Sequence, residues 1–177
     1  MSKLKTFDYH TVPNFTFSLK DMILPVQISH VFKKHGVTGG YIYSIKCKGI
    51  VIKFGMSLDN ATNYGDRVYS QIGQLASWGS HLYRGSGAEF IHTASDFKQM
   101  YNTELDHRDM EVTVWNFTNY KYTLLDHRVE LRQFEAELIR RYKDLTGKMP
   151  LGNLRSEESV LSKMSVSADG WANFEEC

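Results

Sequence analysis

Apolar and polar positions change period along this chain, and each change marks an element. The stretch GYIYSIKCKGIVIKFG, residues 40–55, is rich in β-branched and aromatic residues. It predicts two strands, 41–46 and 50–54, around a short turn. Residues 111–117 (EVTVWNF) alternate and predict a third strand. Leu131, Phe134, Leu138, Tyr142 and Leu145 step by three and four, which predicts one long helix over 127–146 with an apolar stripe. Gly147 can end that helix, and Pro150 follows it. Val68, Ile72 and Leu75 predict a shorter helix behind the turn-rich 59–64 segment, DNATNY. QISHVFKK, 27–34, reads as a short helix ending before Gly36, and 94–107 has a weak helical tendency. Residues 79–93, with Gly79, Gly85 and Gly87, read as irregular.

Three placements follow. With Cys47-Lys48-Gly49 as a three-residue hairpin loop, Lys46 faces Ile50 and Tyr43 faces Lys53. Opposed residues share a sheet face, so a phenol and an ammonium become neighbours. Arg67 falls in the first turn of the helix that follows. On the long helix, Glu135 lies within the apolar stripe, while Glu130 and Glu137 point away from it. A carboxylate on a core-facing stripe is costly unless paired or metal-bound.

The expected fold class is α+β, a small antiparallel three-stranded sheet flanked by helices. The expected organisation is an N-terminal extension (1–38), a central domain (39–153, with an insertion at 79–110) and an acidic tail (154–177).

The chain has 177 residues, 42% hydrophobic and 23% charged, an ordinary globular composition that favours one domain. No apolar run approaches the roughly 18 residues that cross a bilayer, so no membrane partner is expected. The start of the chain lacks the apolar middle of a secretory signal. Only Cys47 and Cys177 are present, with no CxxC, which argues against a disulfide scaffold or cysteine zinc site and suits a reducing, cytoplasmic compartment. Net charge is +1, but residues 1–53 carry eight lysines against two acids. The remainder is net acidic. A basic front half can meet a polyanion or simply be solvated. LDHR occurs twice, at 105–108 and 125–128, and reads more readily as two helix starts or surface turns than as a metal site.

The order of these residues resembles the GIY-YIG nuclease family. Tyr41-Ile42-Tyr43 matches the first motif and Lys53-Phe54-Gly55 the second. Arg67 in GDRVYSQ matches the helix arginine, Glu135 in FEAELIRRYK the glutamate, and Asn153 in PLGN the later asparagine. Tyr41 stands where the family name has Gly, though Gly39 and Gly40 precede it, and Lys53 replaces a Tyr.

The resemblance implies phosphodiester cleavage in double-stranded DNA with one Mg²⁺, for which Mn²⁺ can substitute. Tyr43 is then the general base and Lys53 the cation favouring its phenolate. Arg67 is the phosphate clamp and Glu135 the single metal carboxylate. Tyr41, Gly55 and Asn153 support the site, and Lys33, Lys34, Lys46, Lys48 and Arg132 are candidate DNA contacts. One active site cuts one strand, so double-strand cleavage implies a homodimer or sequential nicking. The size suits a restriction-type enzyme or a phage or mobile-element nuclease. Two alternatives stay open: an inactive DNA-binding module of the same fold, and a protein-interaction domain whose aromatics only build its core.

Overall fold

The computed structural model describes residues 12–20, 25–58, 65, 68, 72 and 93–153. The hairpin forms from β2 (Tyr41–Cys47) and β3 (Ile50–Ser57). Its turn holds two residues, Lys48 and Gly49, at φ 51° and 79°. Two positive φ values make the type I′ pattern, whose twist matches the flanking strands. The expected three-residue loop is therefore corrected: Cys47 is the last residue of β2 and faces Ile50.

A register shift between Ile45 and Lys46 follows, so Lys46 faces Val51, Ile45 faces Lys53 and Tyr43 faces Gly55. The expected pairs Lys46–Ile50 and Tyr43–Lys53 do not form. A two-residue turn alone would have put Tyr43 and Lys53 on opposite faces, because one step of register flips every side chain. The bulge adds one residue and returns them to a common face.

The sheet has four strands in the order β1-β4-β2-β3, not the expected three. β4 (Met110–Asn116) is the strand expected from its alternation, and it pairs with β2. Its other neighbour is β1 (Asn14–Ser18), from the segment read as an extension. Phe15 and Phe17 alternate there with Asn14, Thr16 and Ser18, a period-two signal only five residues long. The Thr16 and Thr113 hydroxyls share a hydrogen bond of 2.8 Å across the pair.

Helices cover both faces. On one face lie α1 (Pro25–Lys34), buried helical residues Val68 and Ile72, and α2 (Thr93–Tyr101), within the expected insertion. Ile28, Phe32, Val68, Ile72 and Phe97 pack there against Tyr41, Tyr43, Ile45, Val112 and Val114. The other face carries α3 (His127–Thr146), whose Leu131 and Phe134 pack on Ile42 and Phe117. Among the described residues, no helix is long and apolar enough to cross a membrane.

α3 has the expected ends. Asp126 accepts from the Arg128 N–H at 2.9 Å, and the Gly147 N–H donates to Lys143 O at 2.7 Å. The earlier LDHR copy makes the same cap, Asp106 accepting from the Arg108 N–H at 2.9 Å before a 3-10 turn, His107–Asp109. The repeat is thus a repeated start signal, because an aspartate before a helical turn satisfies an orphan N–H.

The expected burial of α3 needs correction. Leu145 is 86% exposed, so the stripe ends at Tyr142. Glu130 and Glu137, expected to point away, are buried, and Glu135 is half-buried. Between Glu130 and Ile139 only Arg132 is exposed, whereas Arg140–Thr146 is exposed apart from Tyr142. Glu130 accepts from the Thr123 hydroxyl at 3.0 Å and the Leu124 N–H at 2.9 Å, pinning the preceding loop. Glu137 pairs with Arg141 at 3.0 Å. Leu75, the 59–64 segment, residues 79–92 and the 154–177 tail lie outside the described residues.

Candidate active site

The hairpin brings four of the expected residues together. Tyr43 is fully buried, and its ring lies where a side chain at residue 55 would begin. A Cβ added at Gly55 would lie 2.8 Å from Tyr43 Cε1 and closer still to Cζ and the hydroxyl oxygen. Glycine at 55 is therefore required by the phenol across the strand rather than by backbone angles. Lys53 sits two residues away on the same face, opposite Ile45. Such diagonal neighbours lie about 7–8 Å apart, within reach of long side chains.

β3 is an edge strand, and a side chain closes its outer side. Asn153 Oδ1 accepts from the Phe54 N–H at 2.8 Å, and Asn153 Nδ2 donates to Phe54 O at 2.9 Å. One amide thus stands in for the peptide of a missing neighbouring strand, and it is buried. The same turn brings Gly152 O within 3.3 Å of Lys53 Nζ, which donates to it. The ammonium is held beside the hairpin face although Lys53 is almost wholly buried.

Tyr41 occupies the core. Its ring meets Phe32 edge-on at 5.0 Å and Tyr43 at 6.1 Å, so it props the second tyrosine from behind.

Glu135 comes from the layer on the other face, since α3 packs on Ile42 rather than on Tyr43. The helix meets β3 again where the Tyr142 ring crosses that of Phe54 at 6.2 Å. Residues from the ends of α2 and α3, Tyr101 and Tyr142, line a common cleft at the hairpin-turn end of β3. Arg67 lies outside the described residues.

The candidate DNA contacts do not form one patch. Lys33 and Lys34 end α1 near the start of β2, where Asn116 donates to His35 O at 3.2 Å. Lys46 and Lys48 lie at the hairpin turn, the length of β2 away, about 20 Å for seven residues. Lys48 is engaged by Thr103 and by Asp109, the latter at 3.7 Å. Arg132 is exposed on α3, in the layer on the opposite face.

Reading the sequence missed two buried acids, Glu130 and Glu137. Glu137 Oε2 has no hydrogen-bond partner among the described residues. Nothing in their spacing distinguishes them from surface acids: Glu130 is held by the preceding loop through Thr123 and Leu124, and Glu137 by Arg141 one turn on. Cys47 is buried, burial pushes its thiol up, and it donates to Asp106 O at 3.8 Å, a packing role rather than that of a reactive thiolate. Among the described residues, no three His, Cys, Asp or Glu side chains converge.

Comparison of the chain with protein-family models, curated proteins and solved structures finds no match.

Proposed function

We propose that this chain is a metal-dependent DNA endonuclease of the GIY-YIG type. The observation that carries the reading is the hairpin face. Tyr43 rests on Gly55 with Lys53 two residues away, and Asn153 clamps the strand between them. A solvated surface or an ordinary core does not require a phenol, an ammonium, a glycine and a buried amide in this relation.

The chemistry follows from residue type. A free phenol has a pKa near 10, too high to take a proton from water at neutral pH. A nearby ammonium favours the phenolate, and the Gly152 carbonyl holds Lys53 at that face. Tyr43 is then the base for the attacking water, and Arg67 clamps the scissile phosphate through its two-pronged guanidinium. Glu135 offers hard oxygen donors from a half-buried position, which suits Mg²⁺, a cation that keeps several waters and takes few carboxylates. Once bound, the metal supplies charge relief at the phosphorane. On this reading Glu135 of α3 and the hairpin face act on the same phosphate.

The test is cleavage of supercoiled plasmid with Mg²⁺, with EDTA, and by Glu135→Ala. Mg²⁺-dependent nicking abolished by the substitution is expected. Cutting that ignores both the metal and Glu135 overturns the reading.

The complete burial of Tyr43 favours a second reading, a module of this fold that binds DNA without cutting it. Salt-sensitive binding that is identical in the wild type and Glu135→Ala, with no cleavage, is its signature.

A further inference from the structure

An open cleft of about 890 Å³ lies beside the candidate active site and has no part in the proposed chemistry. Its floor is Ile50, Val51 and Leu151, and Tyr101 and Met100 wall it at the end of α2. Tyr142 and Thr146 wall it from α3, and Lys46 and Lys148 stand at its rim. No carboxylate is among its described lining residues. The volume falls within the range of small-molecule sites.

Two features narrow the occupant. Tyr101 and Met100 remain 37% and 42% exposed at the end of an ordered helix, an apolar and aromatic surface left in water. Tyr101 is backed by Phe97, ring centroids 5.0 Å apart, so its ring is held rather than swinging free. Tyr142 lines the same cleft from α3. Burial first, and the Tyr101 hydroxyl second, push the Tyr142 hydroxyl up, so it stays neutral. A planar, anionic ligand matches held aromatic rings flanked by ammonium groups. A nucleotide is such a ligand, since every base has a face to stack and every phosphate a charge to neutralise.

We propose that this cleft binds an unpaired nucleotide of the DNA substrate, its base stacked on Tyr101 and its phosphate drawn by Lys148 and Lys46. The proposal rests on the endonuclease reading for its choice of DNA. Leu151 lines the cleft and is followed by Gly152, which holds Lys53. A nucleotide seated there anchors a displaced strand next to the hairpin face. Lys46 is partly buried and stands at the register position of the acid Glu111 on β4, whereas Lys148 is exposed and outside the sheet, which makes Lys148 the stronger phosphate contact.

The test titrates the full chain, in EDTA, with a short single-stranded oligodeoxynucleotide carrying 2-aminopurine. Stacking on tyrosine quenches this base. Saturable quenching is expected, with affinity about tenfold weaker in Tyr101→Ala and retained in Tyr101→Phe. Lys148→Glu should weaken binding and flatten its salt dependence. Far-UV circular dichroism checks that each variant folds. Equal quenching in the wild type, Tyr101→Ala and Lys148→Glu overturns the proposal, as does equal quenching by a fully paired duplex. Plasmid cleavage is read separately. Stacking without cleavage leaves the cleft standing and counts against the endonuclease, whereas cleavage without stacking does the reverse.

Discussion

The ring of Tyr43 fills the space where a side chain at Gly55 would begin, so the two residues form one unit across the β2–β3 ladder. The smallest residue of Lys53-Phe54-Gly55 is the seat for the second tyrosine of Tyr41-Ile42-Tyr43. Any function that needs the Tyr43 hydroxyl in a defined place depends equally on the missing Cβ opposite.

Gly55→Ala is expected to destabilise the fold by about 1–3 kcal/mol, the usual cost of overpacking a filled core. It should also abolish cleavage by displacing the phenol. Tyr43→Phe keeps the ring and should leave the unfolding free energy within about 1 kcal/mol of wild type while removing cleavage. Urea unfolding and plasmid nicking, measured on both variants, separate packing from chemistry. Full cleavage by Tyr43→Phe would show that the hydroxyl has no catalytic part.

Asn153→Ala should cost about 2–4 kcal/mol, because it strands a buried N–H and a buried carbonyl of Phe54 together. The damage should appear first at the edge of β3. Amide exchange at Phe54, slow in the wild type, should accelerate in the variant far more than exchange at Val114 in the sheet centre. Uniform acceleration would mean that Asn153 supports the whole fold rather than this edge.

Tyr122 predicts an alkaline limit to stability. Burial, with the nearby Glu130 carboxylate adding to it, pushes its hydroxyl up to about 12 from an ordinary 10.0. A folded-state value above the unfolded one means that the native state holds this proton more tightly. Its stability contribution is therefore full below the unfolded value and is lost as pH rises from about 10 to 12. Tyr122→Phe should flatten that decline in thermal unfolding measured across this pH range. An unchanged decline would assign it to other groups.

How much of this was legible beforehand depends on the distance over which each feature is set. The bounds of α3 follow from Asp126, Gly147 and a three-and-four spacing, all read within a few residues. β4 and the existence of the hairpin follow in the same way from composition and alternation. The shared face of Tyr43 and Lys53 came out right through a compensation: the turn is one residue shorter than expected, and the bulge restores the lost step.

The sequence by itself determined where most helices and strands begin and end, because caps, turns and periodicity act between near neighbours. Only the tertiary structure decided which faces those elements bury and what they meet. β1 enters the sheet through a ladder to a strand nearly a hundred residues later, and Asn153 closes an edge 99 positions away. Glu130 and Glu137 are buried and Glu135 only half-buried, the reverse of what the apolar stripe of α3 alone suggests. Hydrogen bonds and packing between distant segments carry no local spacing, so these relations exist only once the chain has closed on itself.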